Sequence, residues 1–503
     1  MRINSLRKFL FAETGLINLP KLLHYILFAG LAAYFIYYVF DAYRCISYPY
    51  QIDYGEGFLL YFAHTLSQGH TIYHDMSIYP FIPGLYPPVY ALVCAPLVKL
   101  FGISFSIGRL ISVLSAILVG ILIYKIVAIK ADKRIAVIST LFFFASPYIY
   151  YWTRLFRVDT LGLLFSLVGI YLVLKYERSK AIYLSIPFFL LAVYTKQSLI
   201  AAPIASFLYL FLKDKRLGIT SAGLFGLSGI LLFLLCNYAT DGQFYLHTVA
   251  YQNFGISLHQ TIERYLDMIQ THAILFGFAF VQAVYIILKK NPGLFAYYFV
   301  ASALIAVSVG RPGSHVNYFL ELIVACCILS GTLLSELQPQ IKKASLIGIS
   351  VVVLLLLQLA YFAHLPYTPT AEDLRIGEEA ASWVQSSSGS ILSEDAGLVV
   401  INDKELLIEF FMATQMEKRG LWDQSKFVSD LQNKSFSLIL LEVNAKSQLA
   451  FLTLEGSDEI ARTQQRYSNR QRFTVEMLEA IVSNYHLTET IGKYFVYEPE
   501  ERT

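Results

Sequence analysis

Long apolar runs separated by short polar segments occupy the chain from about residue 20 to about residue 365. A helix that crosses a bilayer needs about 20 mostly apolar residues. Eleven runs approach that length, which predicts a mainly α-helical protein that crosses a membrane about eleven times. The predicted spans lie near 22–42, 105–129, 134–151, 159–175, 181–195, 197–213, 217–238, 271–288, 294–310, 317–335 and 343–363.

Every short loop on one side of this arrangement carries lysine or arginine residues. Since basic loops remain in the cytoplasm, the N-terminus is predicted to be cytoplasmic and the C-terminus to lie outside. The outer side then has two long loops, about 43–104 and 239–270, and the whole chain after residue 364. The basic inner residues include Arg7, Lys8, Lys130, Lys133, Arg178, Lys180, Lys213, Lys215, Lys289, Lys290, Lys342 and Lys343.

A shorter apolar segment inside the first outer loop begins near Pro87-Pro88 and ends at Phe101-Gly102. If it crossed the membrane, every later loop would change sides and the basic loops would lie outside. We therefore predict an amphipathic helix that lies in the outer interface, with the two prolines in its first turn.

The last part of the chain, residues 365–503, has the composition of a soluble domain, whereas residues 1–364 form the predicted membrane domain. Alternating strand and helix patterns indicate a small α/β domain outside the membrane. This domain is either a passive cap or a part of the acceptor site. The predicted strands are 391–392, 398–400, 436–441 and 493–497, and the predicted helices are 426–432 and 473–484.

The overall composition agrees with a membrane protein. Hydrophobic residues make up 56% of the chain and charged residues only 15%, whereas a soluble domain has about 25% charged residues. The net charge of +3 is too small to indicate a nucleic-acid partner. The five cysteines show no metal-ligand or paired spacing, and we interpret them as small apolar residues in packed helices.

Four polar groups fall at the predicted outer edge of the membrane. Ionisable residues at that depth are costly and mark functional sites. The basic loops that fix the orientation lie elsewhere, so the convergence of these groups on one side is independent evidence. The groups are Asp53 and Glu56; Arg157 and Asp159; Lys196; and Arg311, His315, Asn317 and Tyr318.

These residue types suit the transfer of a sugar from a lipid phosphate. Lysine and arginine bind phosphate by charge-assisted hydrogen bonds, and an aspartate can take the proton of an attacking hydroxyl or amine. A displacement with inversion needs one such base and no covalent intermediate. Each group also has an ordinary explanation as a loop carboxylate, an ion pair at a helix end, a lysine that reaches the headgroups or a histidine in a polar contact.

Several motifs in a fixed order carry a family resemblance. The acidic motif DYGEG at 53–57 follows the first span, and LYPPVYALVCAPLVKLFG at 85–102 is followed by GRLISVLSAILVGILIYKI. RVD at 157–159 and TKQS at 195–198 come next. On these motifs the membrane part resembles the GT-C superfamily of integral membrane glycosyltransferases. It is similar to the glycosyltransferase 39-like branch, which holds protein O-mannosyltransferases and the aminoarabinose transferases of lipid A.

The resemblance implies that the protein moves a sugar from a polyprenyl-phosphate donor to a glycan, lipid or protein acceptor. The reaction would take place at the outer face of the plasma (inner) membrane. The resemblance further implies that Asp53 is the base, with Asp159 and Glu56 as further catalytic carboxylates. The implied substrate-binding residues are Lys196 and Arg311, at the donor phosphate, with Arg157, Tyr86, His315, Asn317 and Tyr318.

The resemblance leaves the sugar, the acceptor and the metal open. Tyr86 stands where aminoarabinose transferases have a lysine before the two prolines, which argues against the same substrate. Metal involvement varies within the family. A divalent ion held by Glu56 with His74, Asp75 or His315 is left undecided, and no other cofactor is expected.

A membrane transporter or flippase of a lipid-linked or polar solute is the main alternative function, and a non-catalytic scaffold is a third. Transporters show internal repeats and polar groups near the bilayer midplane. Here the polar groups lie at the outer edge and no repeat is visible. The loop segment 243–260 is predicted to form part of a gate for the donor lipid, through His247, Tyr251, Asn253 and His259.

Overall fold

The computed structural model describes residues 19–289, 293–363, 367–453 and 472–500. Its first two segments, which end at residue 363, are built almost entirely from helices. The predicted inner residues Arg7, Lys8 and Lys290, and the predicted domain boundary at 364–365, lie outside the described residues. The α-helices of this part are Leu19–Ser47, Glu56–Ser67, Val89–Phe101, Phe105–Val127, Lys133–Ala145, Pro147–Trp152, Val158–Lys175, Ser185–Thr195, Ala201–Lys213, Lys215–Ala239, Gln243–Tyr245, Leu258–Thr271, Ala273–Leu288, Leu294–Ala306, Leu320–Glu336, Gln338–Lys342 and Leu346–Tyr361.

Each of the eleven predicted spans overlaps a helix, so the mainly α-helical class is confirmed. Within the described ranges, five helices are long and apolar enough to cross a membrane, and a pair bent by 96° would make a sixth. The remaining apolar helices are shorter than a full crossing. The count of eleven and the orientation therefore stay predictions. The five long candidates are Pro20–Ser47, Phe105–Val127, Val158–Lys175, Lys215–Ala239 and Val316–Glu336.

Side-chain caps fix where several of these helices begin. A short polar side chain can accept a hydrogen bond from one of the unpaired amides of the first turn. Asp214 accepts from the amides of Arg216 and Leu217, and Asp132 accepts from the amide of Arg134. The polar loop residues thus separate consecutive apolar helices sharply.

The apolar segment of the first outer loop is a helix, Val89–Phe101, as predicted. Pro88 occupies its N-cap position, and the helix ends at Gly102, whose φ of +85° favours glycine. One side packs on the helix Glu56–Ser67, while Leu100 and Phe101 are exposed. An exposed apolar side suits the predicted interfacial position, which stays a prediction.

The C-terminal part contains a four-stranded sheet in the order β1-β2-β4-β3, so the small α/β domain is confirmed. Strands β1 and β2 are parallel and fully buried, whereas β4 pairs antiparallel with both β2 and β3. The strands are β1 Ile391–Ser393, β2 Leu438–Leu441, β3 Tyr485–Ile491 and β4 Tyr494–Pro499. The helices are Ala371–Ser386, Ala396–Ile401, Phe410–Glu417, Ser425–Gln432, Ala445–Thr453 and Val475–Asn484.

One predicted strand of this domain is wrong. Residues 398–400 lie in the short helix Ala396–Ile401, whose start is capped by the Asp395 carboxylate at 3.1 Å from the amide of Leu398. Its apolar residues are buried on every side. A short run of that kind is apolar in either structure, so its periodicity cannot distinguish strand from helix.

The C-terminal domain docks on the first outer loop through backbone contacts. Phe81 donates its amide to the carbonyl of Leu407 at 2.7 Å and accepts from the amide of Glu409 at 3.0 Å. The Gln51 side-chain oxygen accepts from the amides of Gly57 and Gly397 at 3.1 and 3.3 Å. Because Gln51 bonds both Gly57 of the acidic motif and Gly397 of the C-terminal domain, the domain and the motif hold a fixed relative position.

Candidate active site

A cavity of about 380 Å³ lies where the first outer loop, the loops near 252–264 and 311–318, and the C-terminal domain meet. Seven of the predicted site residues line it, and three lie behind its wall. The lining residues among them are Asp53, Tyr86, Arg157, Arg311, His315, Asn317 and Tyr318. The three behind the wall are Glu56, Asp159 and Lys196.

Asp53 forms an ion pair with Arg157 at the edge of the cavity. Its Oδ1 accepts from the Arg157 guanidinium and from the amide of Gly55 at 3.2 Å. Within the described part of the chain its Oδ2 accepts no hydrogen bond from protein. The two side chains are 18% and 14% exposed, so water and substrate can reach the carboxylate. The Arg157 guanidinium lies so close to the Gly55 Cα that a Cβ there would clash with it.

Glu56 is instead completely buried and saturated with hydrogen bonds. Its Oε1 accepts from Arg109 Nε at 2.9 Å and from the amide of Phe156 at 2.6 Å. Its Oε2 accepts from Arg109 Nη2 and the amide of Ile52, both at 2.7 Å, and from the amide of Asp53 at 3.3 Å. Glu56 therefore fixes the backbone that carries Asp53, and its own carboxylate faces protein.

Arg109 was not among the predicted site residues, although it lies in the segment GRLISV that carries part of the resemblance. Besides Glu56, its guanidinium donates to the carbonyls of Cys45, Tyr48 and Tyr50 at 2.6–2.8 Å. The signal for it was a lone arginine at the start of an apolar run, since such a charge needs a buried partner.

Asp159 and Lys196 form a second buried ion pair, beneath the cavity. Asp159 accepts from Lys196 Nζ at 2.5 Å, from Trp152 Nε1 at 2.6 Å and from the Asn317 amide at 2.9 Å. The Lys196 ammonium lies 4.3 Å from the centroid of the Tyr318 ring. The structure thus joins four predicted residues in one cluster, with Asn317 and Tyr318 as the two that reach the cavity.

Trp152 links this cluster to the Asp53–Arg157 pair. One face of its ring meets the Arg157 guanidinium at 5.1 Å, and the His315 ring stacks on it at 5.3 Å with an interplanar angle of 19°. Burial and the positive charges of Arg264 and Arg157 lower the pKa of His315 to about 4. His315 is therefore a neutral imidazole at ordinary pH.

Arg311 is the cavity cation that best suits a ligand. Its Nε is buried and donates to no protein acceptor among the described residues, and no ion pair involves it there. The Oδ1 of Asn317 is buried and unpaired in the same part of the chain. Buried polar atoms without partners are rare because each costs about 1–3 kcal/mol. Both residues line the cavity, so a polar ligand would satisfy them.

The C-terminal domain adds polar residues to the cavity that the sequence analysis missed. Glu409 lines it and is 6% exposed. Its Oε1 accepts from the Tyr54 hydroxyl at 2.7 Å and its Oε2 from the amide of Met412 at 2.5 Å. Burial raises the pKa of Glu409 to about 7. The Arg472 guanidinium, also at the cavity, lies 3.8 Å over the Tyr54 ring.

The metal question, left undecided from the sequence, gains no support from this cavity, and the four residues named for the gate do not line it. No group of three or more His, Cys, Asp or Glu side chains suited to a metal occurs in the described ranges. His247 is buried, where it bonds the amide of Gly84 at 2.8 Å and the carbonyl of His74 at 2.7 Å. Segment 243–260 reaches the cavity instead through Gln252, Phe254 and Gln260.

Solved structures with a similar fold include ArnT from Cupriavidus metallidurans. Its apo form shares 13% sequence identity at a TM-score of 0.58, over 93% of this chain and 97% of that one. The form bound to undecaprenyl phosphate gives 14% identity with the same TM-score and coverage. An Archaeoglobus fulgidus oligosaccharyltransferase complex with zinc and sulfate gives 11% identity and a TM-score of 0.49, over 92% of this chain and 73% of that one.

The sequence comparisons agree with this likeness. A model of the family described as dolichyl-phosphate-mannose-protein mannosyltransferase matches residues 86–239, from just before the helix Val89–Phe101 to the end of Lys215–Ala239. A search of the curated proteins finds no match. The predicted resemblance is therefore confirmed as a similarity: residues 86–239 resemble that mannosyltransferase family, and the fold of most of the chain is similar to that of ArnT.

Proposed function

We propose that this protein transfers a sugar from a polyprenyl-phosphate-linked donor to an acceptor at the outer face of the plasma membrane. The transfer inverts the anomeric centre, and Asp53 is its base. One observation carries the proposal: a reachable carboxylate, Asp53, and an arginine without an ion pair in the described ranges, Arg311, line the same cavity of a GT-C-like fold.

Arg311 and Asn317 are the proposed contacts of the donor phosphate. The phosphate is a diester in the donor and becomes a monoester in the leaving polyprenyl phosphate, so its negative charge grows during the reaction. A guanidinium that binds the monoester more strongly than the diester therefore favours the transition state. The binding of undecaprenyl phosphate by ArnT, whose fold is similar, supports a lipid of this class as the donor carrier.

Asp53 is suited to the base because one of its oxygens is committed and the other faces the cavity. The Arg157 ion pair and the Gly55 amide hold Oδ1, and the pair favours the ionised form. The acceptor oxygen forms a bond to the anomeric carbon while Oδ2 takes its proton. The bond from that carbon to the phosphate oxygen breaks, and polyprenyl phosphate leaves with the electron pair.

Glu56, Asp159 and Lys196 act as positioning residues in this scheme. Glu56 holds the backbone amide of Asp53, and Asp159 orients Trp152 and Asn317. Lys196 neutralises Asp159 and lies against the Tyr318 ring, so it orients Tyr318 at the cavity and holds Asp159 in its ionised form. The residues first considered for a metal form no three-ligand set, so no step is assigned to an ion.

Release of polyprenyl phosphate tests the proposal. Purified full-length protein in lipid nanodiscs is given a panel of radiolabelled polyprenyl-phosphate sugars, together with membranes as a source of acceptor. The proposal predicts release by the wild type that Asp53→Asn abolishes while undecaprenyl phosphate still binds. No release from any donor, combined with flux of a lipid-linked sugar in proteoliposomes, would favour the transporter instead.

A further inference from the structure

We infer that Glu409 and Tyr54 bind a hydroxyl group of the acceptor, so that the C-terminal domain supplies part of the acceptor site. The inference rests on the proposed function and extends it to the acceptor. It also decides between the two roles left open for this domain, in favour of a part in substrate binding.

The position of Glu409 is fixed by its neighbours on both sides of the domain boundary. Its amide donates to the carbonyl of Phe81 at 3.0 Å, in the bridge that joins the domain to the first outer loop. Its carboxylate accepts from the hydroxyl of Tyr54, the residue that directly follows Asp53. Glu409 is therefore bonded to the residue that is next to the proposed base in the sequence, and a group bound to Glu409 is expected on the same side of the cavity as Asp53.

The Glu409 carboxylate keeps capacity for a ligand. A carboxylate has about four lone-pair sites. The Tyr54 hydroxyl and the Met412 amide occupy two of them, and the Phe411 amide is a further donor nearby, so at least one site is left. The side chain borders the cavity, so the unused sites are available to a substrate group there. A hydroxyl or amine donates to such an oxygen, whereas a phosphate is repelled by it.

Capping alone does not account for a glutamate at this position. The Met412 contact caps the start of the helix Phe410–Glu417. Serine, threonine, aspartate and asparagine are the preferred residues for that task. The longer glutamate side chain caps the helix and, in addition, reaches the Tyr54 hydroxyl and the cavity wall.

The acceptor, rather than the donor, fits this end of the cavity. The donor phosphate is assigned to Arg311 and Asn317, which lie at the start of the candidate span Val316–Glu336. A polyprenyl chain anchors the donor in the bilayer, so its phosphate arrives from that side. Glu409 belongs to the C-terminal part of the chain, where the described ranges hold no candidate span. The hydroxyl-rich acceptor is thus expected between this domain and Asp53.

The test compares Glu409→Gln with Glu405→Gln, a control at an exposed glutamate of the same domain. The acceptor is supplied as membranes from cells of the source organism that lack the gene for this protein. The donor is the radiolabelled polyprenyl-phosphate sugar that the wild-type protein uses. At about pH 8, where the Glu409 carboxylate is ionised, Glu409→Gln removes a charge-assisted hydrogen bond and should raise the apparent KM for the acceptor membranes about 10- to 100-fold. The Kd of Glu409→Gln for undecaprenyl phosphate should stay within about two-fold of wild type. For Glu405→Gln, both the acceptor KM and this Kd should stay within about two-fold of wild type.

A second variant separates binding from folding. Glu409→Asp keeps the charge and a preferred capping residue but withdraws the carboxylate by one methylene, so it should raise the acceptor KM while the melting temperature is retained. An unchanged acceptor KM in a folded Glu409→Asp protein would overturn the inference, and so would an equal weakening of undecaprenyl phosphate binding. If the proposed function itself is wrong, the wild type transfers no sugar, which distinguishes that outcome from a failure of the acceptor inference.

Discussion

Asp53 and Glu56 lie three residues apart in the same acidic motif, and each is paired with an arginine, yet their surroundings are opposite. The Glu56–Arg109 pair is completely buried, and both of its carboxylate oxygens are occupied by protein donors. The Asp53–Arg157 pair lies at the cavity wall, and the Asp53 Oδ2 meets no donor in the described part of the chain. Their arginine partners differ in the same way, because Arg109 is completely buried whereas Arg157 is partly exposed.

The difference separates a structural role from a chemical one. A buried ion pair is held in place because removal of one partner strands a charge in a medium of low dielectric. A carboxylate that can exchange protons needs a free oxygen and access to the substrate. The motif DYGEG combines the two: Glu56 fixes the loop, and Asp53 presents its side chain to the cavity.

Removal of Glu56 should have the largest effect. Glu56→Ala leaves the Arg109 guanidinium buried with only carbonyl partners, and we expect it to lower the free energy of unfolding by about 3–5 kcal/mol. Thermal unfolding of the purified protein in nanodiscs measures this. Asp53→Ala is the matched control and should cost far less, because water can reach Arg157. Equal melting temperatures for the two variants would remove the distinction between the pairs.

Gly55→Ala should damage the Asp53 pair and leave the Glu56 pair intact. The added methyl group meets the Arg157 guanidinium and displaces it from Asp53. We expect turnover to fall about 10- to 100-fold, since misplacement of a reacting group by about 1 Å has that order of effect. Gly223→Ala, on an open face of Lys215–Ala239, is the control. Wild-type turnover by the Gly55→Ala variant would show that the Asp53–Arg157 pair does not depend on the close packing of Arg157 against Gly55.

Arg311 extends the comparison to the arginines, because its Nε lacks the protein partners that saturate Arg109. Arg311→Ala should weaken undecaprenyl phosphate binding about 10- to 100-fold, the effect of one charge-assisted contact, with little change in melting temperature. A binding titration in nanodiscs measures the Kd. Arg178→Ala, at an exposed arginine of a predicted inner loop, should bind normally. A normal Kd for Arg311→Ala would move the phosphate site elsewhere.

The buried carboxylates of the C-terminal domain should produce the smallest effect, a dependence of stability on pH. Burial raises the pKa of both Glu394 and Glu409 to about 7, from an ordinary value of 4.5. Arg472 opposes the shift at Glu394, where Glu442 reinforces it, and the Tyr54 hydroxyl opposes it at Glu409. The folded state then binds more protons than the unfolded state between about pH 4.5 and pH 7.

The contribution of Glu394 and Glu409 to the free energy of unfolding is fully present below their ordinary pKa of 4.5 and is lost as pH rises through about 7. The melting temperature of the C-terminal domain, followed through Trp422 fluorescence, should therefore fall between about pH 5 and pH 8. Glu394→Gln and Glu409→Gln should each flatten the slope. A melting temperature that rises over this range would contradict the sign.

The features that repeat along the chain could be predicted from the sequence. Apolar runs identified the helices, and the outer-edge motifs supplied seven residues that line the cavity. Long-range partners could not be predicted in this way. Arg109 was read only as part of a motif, and nothing local marks Glu409, since its role depends on Tyr54, 355 positions away in the chain. The sequence identified Asp159 and Lys196 as charged residues at the predicted membrane edge. It did not predict that they form an ion pair against the Tyr318 ring.

Turnover of Asp53→Asn tests the central claim most directly. Asparagine can still accept from Arg157 but takes no proton, so kcat should fall about 10²- to 10⁴-fold. The melting temperature and the Kd for undecaprenyl phosphate should match wild type. Turnover within about two-fold of wild type, in a folded variant that binds the lipid, would contradict the assignment of Asp53 as the base.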